Sequence, residues 1–188
     1  MRHKYYLECL RGMLGYKRIQ HSLGVRVTAS RLAELYGADR EQAAIAGLLH
    51  DCGRDLPGEE LLALARQHLV PVDDIEEALP VLLHAPVGAL LARQQFGVED
   101  EAVLRAIDLH TLGGETMTLL DKIVFVADKM EPGRVFPGVA ELRQIAQQNL
   151  DRAVLWCFDA AITLSVRNGE LIHPRAVHAR NGVRLKLT

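Results

Sequence analysis

The run Ala43-Ala44-Ile45-Ala46-Gly47-Leu48-Leu49 constrains this chain more than any other stretch, because it ends in His50-Asp51. Seven consecutive small or apolar residues describe a helix buried on most sides. An imidazole and a carboxylate at the end of such a helix need something to offset their desolvation. Adjacent helical residues point about 100° apart, so the pair cannot share a face in mid-helix. Gly53 follows closely, and at a helix end both side chains can turn toward one point beyond it. A bound cation is the simplest object to place there. The alternative is a capping histidine beside a solvated aspartate, and the rest of the chain has to decide between the two.

Helical periodicity dominates that remainder, with no trustworthy strand alternation, so the expected fold class is all-α. Helices are expected over 5–14, over 19–36 before Gly37, and from the N-cap Asp39 to His50-Asp51. Further helical segments are expected over 59–69, 73–79, from Pro86 to the stop at Gly97, and over 100–110. Thr118 and Asp121 read as a capping box opening a helix through Met130, followed by helices over 139–148 and 150–167 and a last one from Pro174. A chain of 188 residues, 49% hydrophobic and 24% charged, suits one soluble globular domain with one core. Residues 1–188 are therefore expected to form a single domain, completed by the helices from 139 to 188.

The net charge of −2 argues against nucleic-acid polymers and membrane surfaces as partners. The average conceals an asymmetry. Lys or Arg at positions 2, 4, 11, 17, 18, 26 and 31 face Glu8 alone, the tail from Arg152 is basic as well, and residues 73–101 are acidic. Local positive potential of this kind suits a small anionic ligand. Cys9, Cys52 and Cys157 lack zinc-like spacing and read as reduced thiols. No stretch resembles a signal peptide or reaches membrane-spanning length, so a cytoplasmic protein is expected.

Besides Asp51, five polar side chains fall on apolar faces or helix ends: His21, His50, His84, His110 and Asp128. Asp128 shares a face with Leu120, Val124 and Ala127, and a buried carboxylate must be paired, hydrogen-bonded or metal-bound. Lys122 and Lys129 stand at neither the three- nor the four-residue spacing from it and are expected to point elsewhere. Each histidine alone is more often a hydrogen-bonded core residue than a metal ligand. His68 passes the same facial test without being assigned, and His3, His173 and His178 lack even that support. Together, four imidazoles and two carboxylates suit iron, manganese or zinc. Six protein ligands exceed the three or four that one catalytic metal takes while keeping a water position. Two metals sharing a carboxylate would use all six, with Asp51 as the bridge. His21, His50 and Asp128 would complete one metal, and His84 and His110 the other.

The order His21, His50-Asp51, His84, His110, Asp128 resembles the HD-domain metal-dependent phosphohydrolases. Wider stretches resemble one branch, the YqeK-like symmetrical dinucleoside tetraphosphatases. They are Gln20 to Val25, Gly47 to Asp51, Leu83 to Ala89, His110-Thr111, Asp121 to Asp128, Glu131 to Arg134 and His173-Pro174-Arg175. The chain departs from the pattern at Arg54, where much of the family has Lys, and at Ala85, in place of Gly. The resemblance implies an HD-domain helical bundle with a metal site in its core, probed by a nucleotide substrate. It further implies a di-iron centre and symmetrical hydrolysis of diadenosine tetraphosphate to two ADP.

Elementary chemistry is compatible with that implication. Two metals can lower the pKa of a water from about 15.7 toward neutrality, giving hydroxide to attack a central phosphorus. Cations beyond the metals must hold the polyphosphate. Arg54 and Arg134 are the candidates that join Asp51 in catalysis, and Lys122 and Arg175 are further candidates for substrate binding. Three other readings stay open: a nucleotidase or phosphatase on ordinary nucleotides, a non-catalytic nucleotide-sensing or scaffold protein, and a di-iron oxygenase. A homodimer is an open option for the assembly.

Overall fold

Polar residues at helix ends set the boundaries of this fold. The computed structural model describes residues 2–187, and every helix or strand segment among them is helical. The first three helices are α1 (Arg2–Met13), α2 (Tyr16–Tyr36) and α3 (Arg40–Leu49). Gly37 closes α2 in the left-handed region at φ 73°, which glycine enters without a Cβ clash. Asp39 opens α3 by accepting from the backbone N–H groups of Glu41 and Gln42 at 2.8 and 2.9 Å. A cap of this kind is worth about 1 kcal/mol.

Then come α4 (Gly58–Gln67), α5 (Asp74–Ala78), a 3₁₀ turn over Pro80–Leu83, α6 (His84–Phe96) and α7 (Glu101–Leu109). The last four helices are α8 (Leu119–Met130), α9 (Val139–Gln148), α10 (Leu150–Asn168) and α11 (Pro174–Lys186). Thr118 and Asp121 form the expected reciprocal capping box of α8. Helices α1 and α2 each begin three residues before the expected starts at 5 and 19, and two other boundaries differ for a visible reason. Helix α4 stops at Gln67, because Leu69 adopts a positive φ of 57°. Helix α6 begins at His84, not Pro86, because the 3₁₀ turn runs directly into it. Pro86 is tolerated there because first-turn N–H groups have no helical acceptor to lose.

Helix α3 sits at the centre, packed on α2, α7 and α8, and all residues from Ala43 to Leu49 are buried. Its small side chains decide how close α2 can come. A Cβ on Gly47 would lie 3.1 Å from the Val25 carbonyl oxygen and 3.2 Å from the Arg26 Cα. That near-contact of backbones brings the first turns of α2 beside the end of α3. On the other side, α8 buries Ile123, Val124, Phe125 and Val126, each worth about 1.5–3 kcal/mol relative to exposure. The contiguous hydrophobic cluster extends from Tyr6 in α1 to Val183 in α11. Among the described residues no helix is long and apolar enough to cross a membrane.

Candidate metal centre

Three of the four candidate histidines occupy helix C-caps. His50 caps α3, His84 the 3₁₀ turn and His110 α7. The last carbonyls of a helix have no helical partner, and each ring uses the one three residues back. The Nδ1 atoms lie 2.8 Å from the Gly47 oxygen, 2.5 Å from that of Val81 and 2.7 Å from that of Ile107. A carbonyl can only accept, so each Nδ1 carries the proton and each Nε2 presents a lone pair. His21 lies within α2, where the carbonyls are already engaged, and its Nδ1 instead meets Glu131 Oε1 at 3.1 Å. The four Nε2 atoms converge, His21 on His50 at 3.2 Å and His84 on His110 at 3.1 Å.

Asp51 lies between those pairs. Its Oδ1 is 3.3 Å from His84 Nε2 and 3.7 Å from His110 Nε2. Its Oδ2 is 3.6 Å from His50 Nε2 and 3.9 Å from His21 Nε2. Asp128 reaches His21 Nε2 at 2.9 Å and His50 Nε2 at 3.7 Å through Oδ1. Lone pairs facing carboxylate oxygens repel one another unless a cation or added protons lie between them. Bonds of about 2.0–2.1 Å would place neighbouring ligands about 2.9–3.4 Å apart; four of the separations within the two halves, at 2.9–3.3 Å, fit that requirement, and the other four, at 3.6–3.9 Å, are somewhat wider. The donor set therefore suits metal ions. Thr111 Oγ1 adds a hydroxyl 3.2 Å from His84 Nε2 and 3.1 Å from His110 Nε2.

Burial and charge work against each other here. Burial raises the Asp51 and Asp128 carboxyls, but their cationic and imidazole neighbours outweigh it and hold both well below the usual range. Burial also disfavours charge on His50, yet Asp51 and Asp128 turn its net shift upward. For His110 burial prevails, pushing the ring down to about 4. Cys52, next to the pair, is driven to about 12 by burial and stays a neutral thiol.

Cations gather on the Asp128 side. Arg134 donates through Nε to the Asp128 carbonyl oxygen at 2.8 Å and through Nη2 to its Oδ1 at 2.5 Å. Lys129, expected to point away, folds back onto Asp128 Oδ2. Its flexible four-carbon stem lets it reach the carboxylate of its immediate neighbour, which helical spacing alone does not describe. Arg18 donates to Asp51 Oδ2 at 3.1 Å and approaches Asp55 at 3.4 Å. A cavity of about 1020 Å³ opens at this end, walled by the cations Lys17, Arg18 and Arg134, by the acids Asp55 and Glu131, and by His21.

The structure thus brings together His21, His50, Asp51, His84, His110, Asp128 and Arg134. Arg54 follows the cluster in sequence, half-buried, with its backbone N–H on the Asp51 carbonyl at 2.9 Å. The other two substrate-binding candidates have partners elsewhere. Lys122 pairs with Asp151 of α10 at 2.6 Å. Arg175 donates to the Gly113 carbonyl at 2.8 Å and faces Asp108, lining a separate cavity of about 670 Å³. Sequence reasoning missed Arg18, Thr111, Lys129 and Glu131. Arg18 was detectable, since it precedes His21 by three residues and shares its face. Glu131 and Thr111 stand in segments that carry the family resemblance, which assigns neither a role.

His173 also finds partners, as N-cap of α11, accepting from the Arg175 N–H through Nδ1 at 3.1 Å. Its proton therefore lies on Nε2, 3.0 Å from Asp73 Oδ2. That places a donor against carboxylates and disfavours metal ligation by the Asp73, Glu76 and His173 group.

Comparison with known proteins leads in the same direction. Residues 18–133 match the family model described as HD domain. The chain is 38% identical over 168 residues to the symmetrical bis(5'-nucleosyl)-tetraphosphatase of Bacillus subtilis, covering 89% of this chain and 90% of that one. The protein of the same description from Halalkalibacterium halodurans is 38% identical over 180 residues, 96% of each chain. A crystal structure from Clostridium acetobutylicum, described as a predicted HD superfamily hydrolase involved in NAD metabolism, superposes with a TM-score of 0.96 at 41% identity, over 98% of this chain and 97% of that one. The helical fold, the histidine–aspartate cluster in its core and these full-length relatives together make the chain a member of the HD-domain family.

Proposed function

We propose that this chain, acting as one HD domain over residues 1–188, is a metal-dependent phosphohydrolase that cleaves diadenosine tetraphosphate symmetrically into two ADP. The observation that carries the reading is the Asp51 carboxylate, with one oxygen toward His84 and His110 and the other toward His21 and His50. So placed, Asp51 would serve as a ligand on both sides if two cations were bound. His21, His50 and Asp128 would hold one, His84 and His110 the other, with iron preferred over manganese or zinc. The description of the Bacillus and Halalkalibacterium relatives supports the substrate.

Metal ions bound there supply the acidity that makes water a nucleophile at neutral pH and take up charge on phosphate oxygens. The chain does the rest. Asp51 and Asp128 stay ionised, so both remain ligands across the neutral range. The Nδ1 bonds to Gly47, Val81 and Ile107 fix three rings with Nε2 inward, at no reorganisation cost when substrate arrives. Arg134, Arg18 and Lys17 line the cavity beside His21 and put positive charge where a polyphosphate would enter.

The test is product analysis on protein purified without added metal and assayed for its metal content. Diadenosine tetraphosphate should give ADP alone, with oxygen from labelled water on the terminal phosphate of one ADP. Equal ATP and AMP would overturn symmetrical cleavage. Turnover of mononucleotides but not dinucleoside polyphosphates would favour a nucleotidase.

A further inference from the structure

Glu131 is the buried acid to which none of the roles above has given a function. It is the C-cap residue of α8, three residues beyond Asp128, and only 5% exposed. Its Oε1 accepts from His21 Nδ1 at 3.1 Å and its Oε2 accepts from the Gly133 N–H at 2.6 Å. One helix end thus grips His21 from both sides, since Asp128 Oδ1 meets the opposite ring nitrogen at 2.9 Å.

The space around this carboxylate is built from glycine. A Cβ on Gly24 of α2 would fall 2.4 Å from Glu131 Oε2, and one on Gly133 would fall 2.9 Å from Oε1. Neither position has room for a larger residue while Glu131 stays where it is. The reason for a carboxylate follows from the helices. His50, His84 and His110 lie at helix ends, and each uses the carbonyl three residues back, which has a lone pair to spare for the ring. His21 is the sixth residue of α2, inside the helix, and has no such carbonyl. A side-chain acceptor must replace it, and a negative one also makes the imidazole a stronger electron donor at Nε2.

We propose that Glu131 is the positioning residue of the His21 half of the centre: it holds the Nδ1 proton, points Nε2 inward and strengthens metal binding at that half alone. The proposal rests on the two-metal reading above but not on the identity of the substrate. Glutamine cannot replace Glu131 fully, because both oxygens accept and an amide would set its NH₂ against either the Gly133 N–H or the His21 N–H.

The experiment titrates Mn²⁺ into metal-stripped wild type, Glu131→Ala, Glu131→Gln and Gly24→Ala, with a competing chelator and with melting of each metal-free protein. Gly24→Ala displaces the carboxylate without removing its charge. The expected result is one Mn²⁺ equivalent weakened about 10- to 100-fold in Glu131→Ala, and the second within twofold of wild type. Gly24→Ala and Glu131→Gln should shift the same equivalent in the same direction. Excess Mn²⁺ should restore whatever turnover the wild type shows, which a purely structural lesion would not allow. Wild-type affinity at both equivalents in Glu131→Ala would overturn the proposal. So would equal weakening of both equivalents with a lowered melting temperature, the signature of Glu131 and Asp128 clamping a protonated His21 as a structural ion pair. Selective loss of one equivalent in a protein that does not cleave diadenosine tetraphosphate would uphold Glu131 and reject the proposed substrate.

Discussion

The two ends of the histidine cluster are built from the same residue types and differ in almost everything around them. At the His84–His110 end both rings hang from backbone carbonyls, His110 is 2% exposed, and Thr111 is the polar neighbour. Burial prevails there and keeps His110 neutral down to about pH 4. At the His21–His50 end a second carboxylate enters, the net shift on His50 reverses, and Arg18, Lys129 and Arg134 stand around the acids beside an open cavity. One end is a neutral wall; the other is a charged mouth. A phosphate ester carrying several negative charges has electrostatic reason to enter by the mouth. Asp51 belongs to both ends, and the largest predicted effect is the one that removes the distinction.

Asp51→Ala should lose most of both metals and the turnover that depends on them, because each of its oxygens faces a different pair of imidazoles. His84→Ala should mainly empty one position. Metal analysis of the two variants beside wild type checks this. A single metal per chain in fully active wild-type protein would end the two-ended description.

Arg134 tests the charged mouth. Its guanidinium spans the Asp128 carbonyl and carboxylate, with Nη2 3.4 Å from His21 Nε2. It follows the Pro132-Gly133 turn, which folds the side chain back over the centre. A planar fork so placed can grip two phosphate oxygens as charge develops, which a lysine cannot do. Arg134→Ala is expected to lower kcat/KM about a hundredfold, the scale of one lost electrostatic donor. Loss of transition-state contact should appear in kcat as well as KM. Arg134→Lys should recover only part. Near-normal kinetics in Arg134→Ala would shift the role to Arg18 or Arg54 and weaken the contrast between the ends.

The contrast itself was only half legible in the sequence. Helix ends carried the signal for His50 and His84, each of which closes an apolar run, while His110 was legible from the face it shares with Val103, Ala106 and Ile107. Asp128 was legible from its face on α8, and the caps Asp39 and Thr118 set their helices as expected. The charged mouth was not legible, because its members come from separate segments: Arg18 from α2, Lys129 and Arg134 from the end of α8 and the turn beyond it. Helical spacing reports which residues share a face, whereas the reach of a lysine stem depends on its rotamer. Lys122 and Arg175 show the converse, since a cation in a suggestive segment can be taken by a nearer acid, here Asp151 and Asp108. The pairing of His21 with Glu131 required the close approach of α2 and α8 to be known.

The smallest predicted effect belongs to the neutral wall. Thr111 Oγ1 lies 3.2 and 3.1 Å from the two Nε2 atoms of that end, and both rings have their protons on Nδ1. The hydroxyl is therefore a neutral donor placed at the edge of the ligand set, where it can hold a phosphate oxygen or a water in line. Thr111→Val keeps the branched shape and removes that donor. A neutral hydrogen bond is worth about 0.5–1.5 kcal/mol, so kcat/KM should fall only about two- to tenfold. Metal content should be unchanged, because the hydroxyl is not counted among the ligands, and Thr111→Ser should restore the rate. Steady-state kinetics with parallel metal analysis reads all three. A hundredfold loss would rank the wall with Arg134 in the chemistry and erase the division between the ends; loss of a metal would make Thr111 a ligand and extend the closed end by one residue.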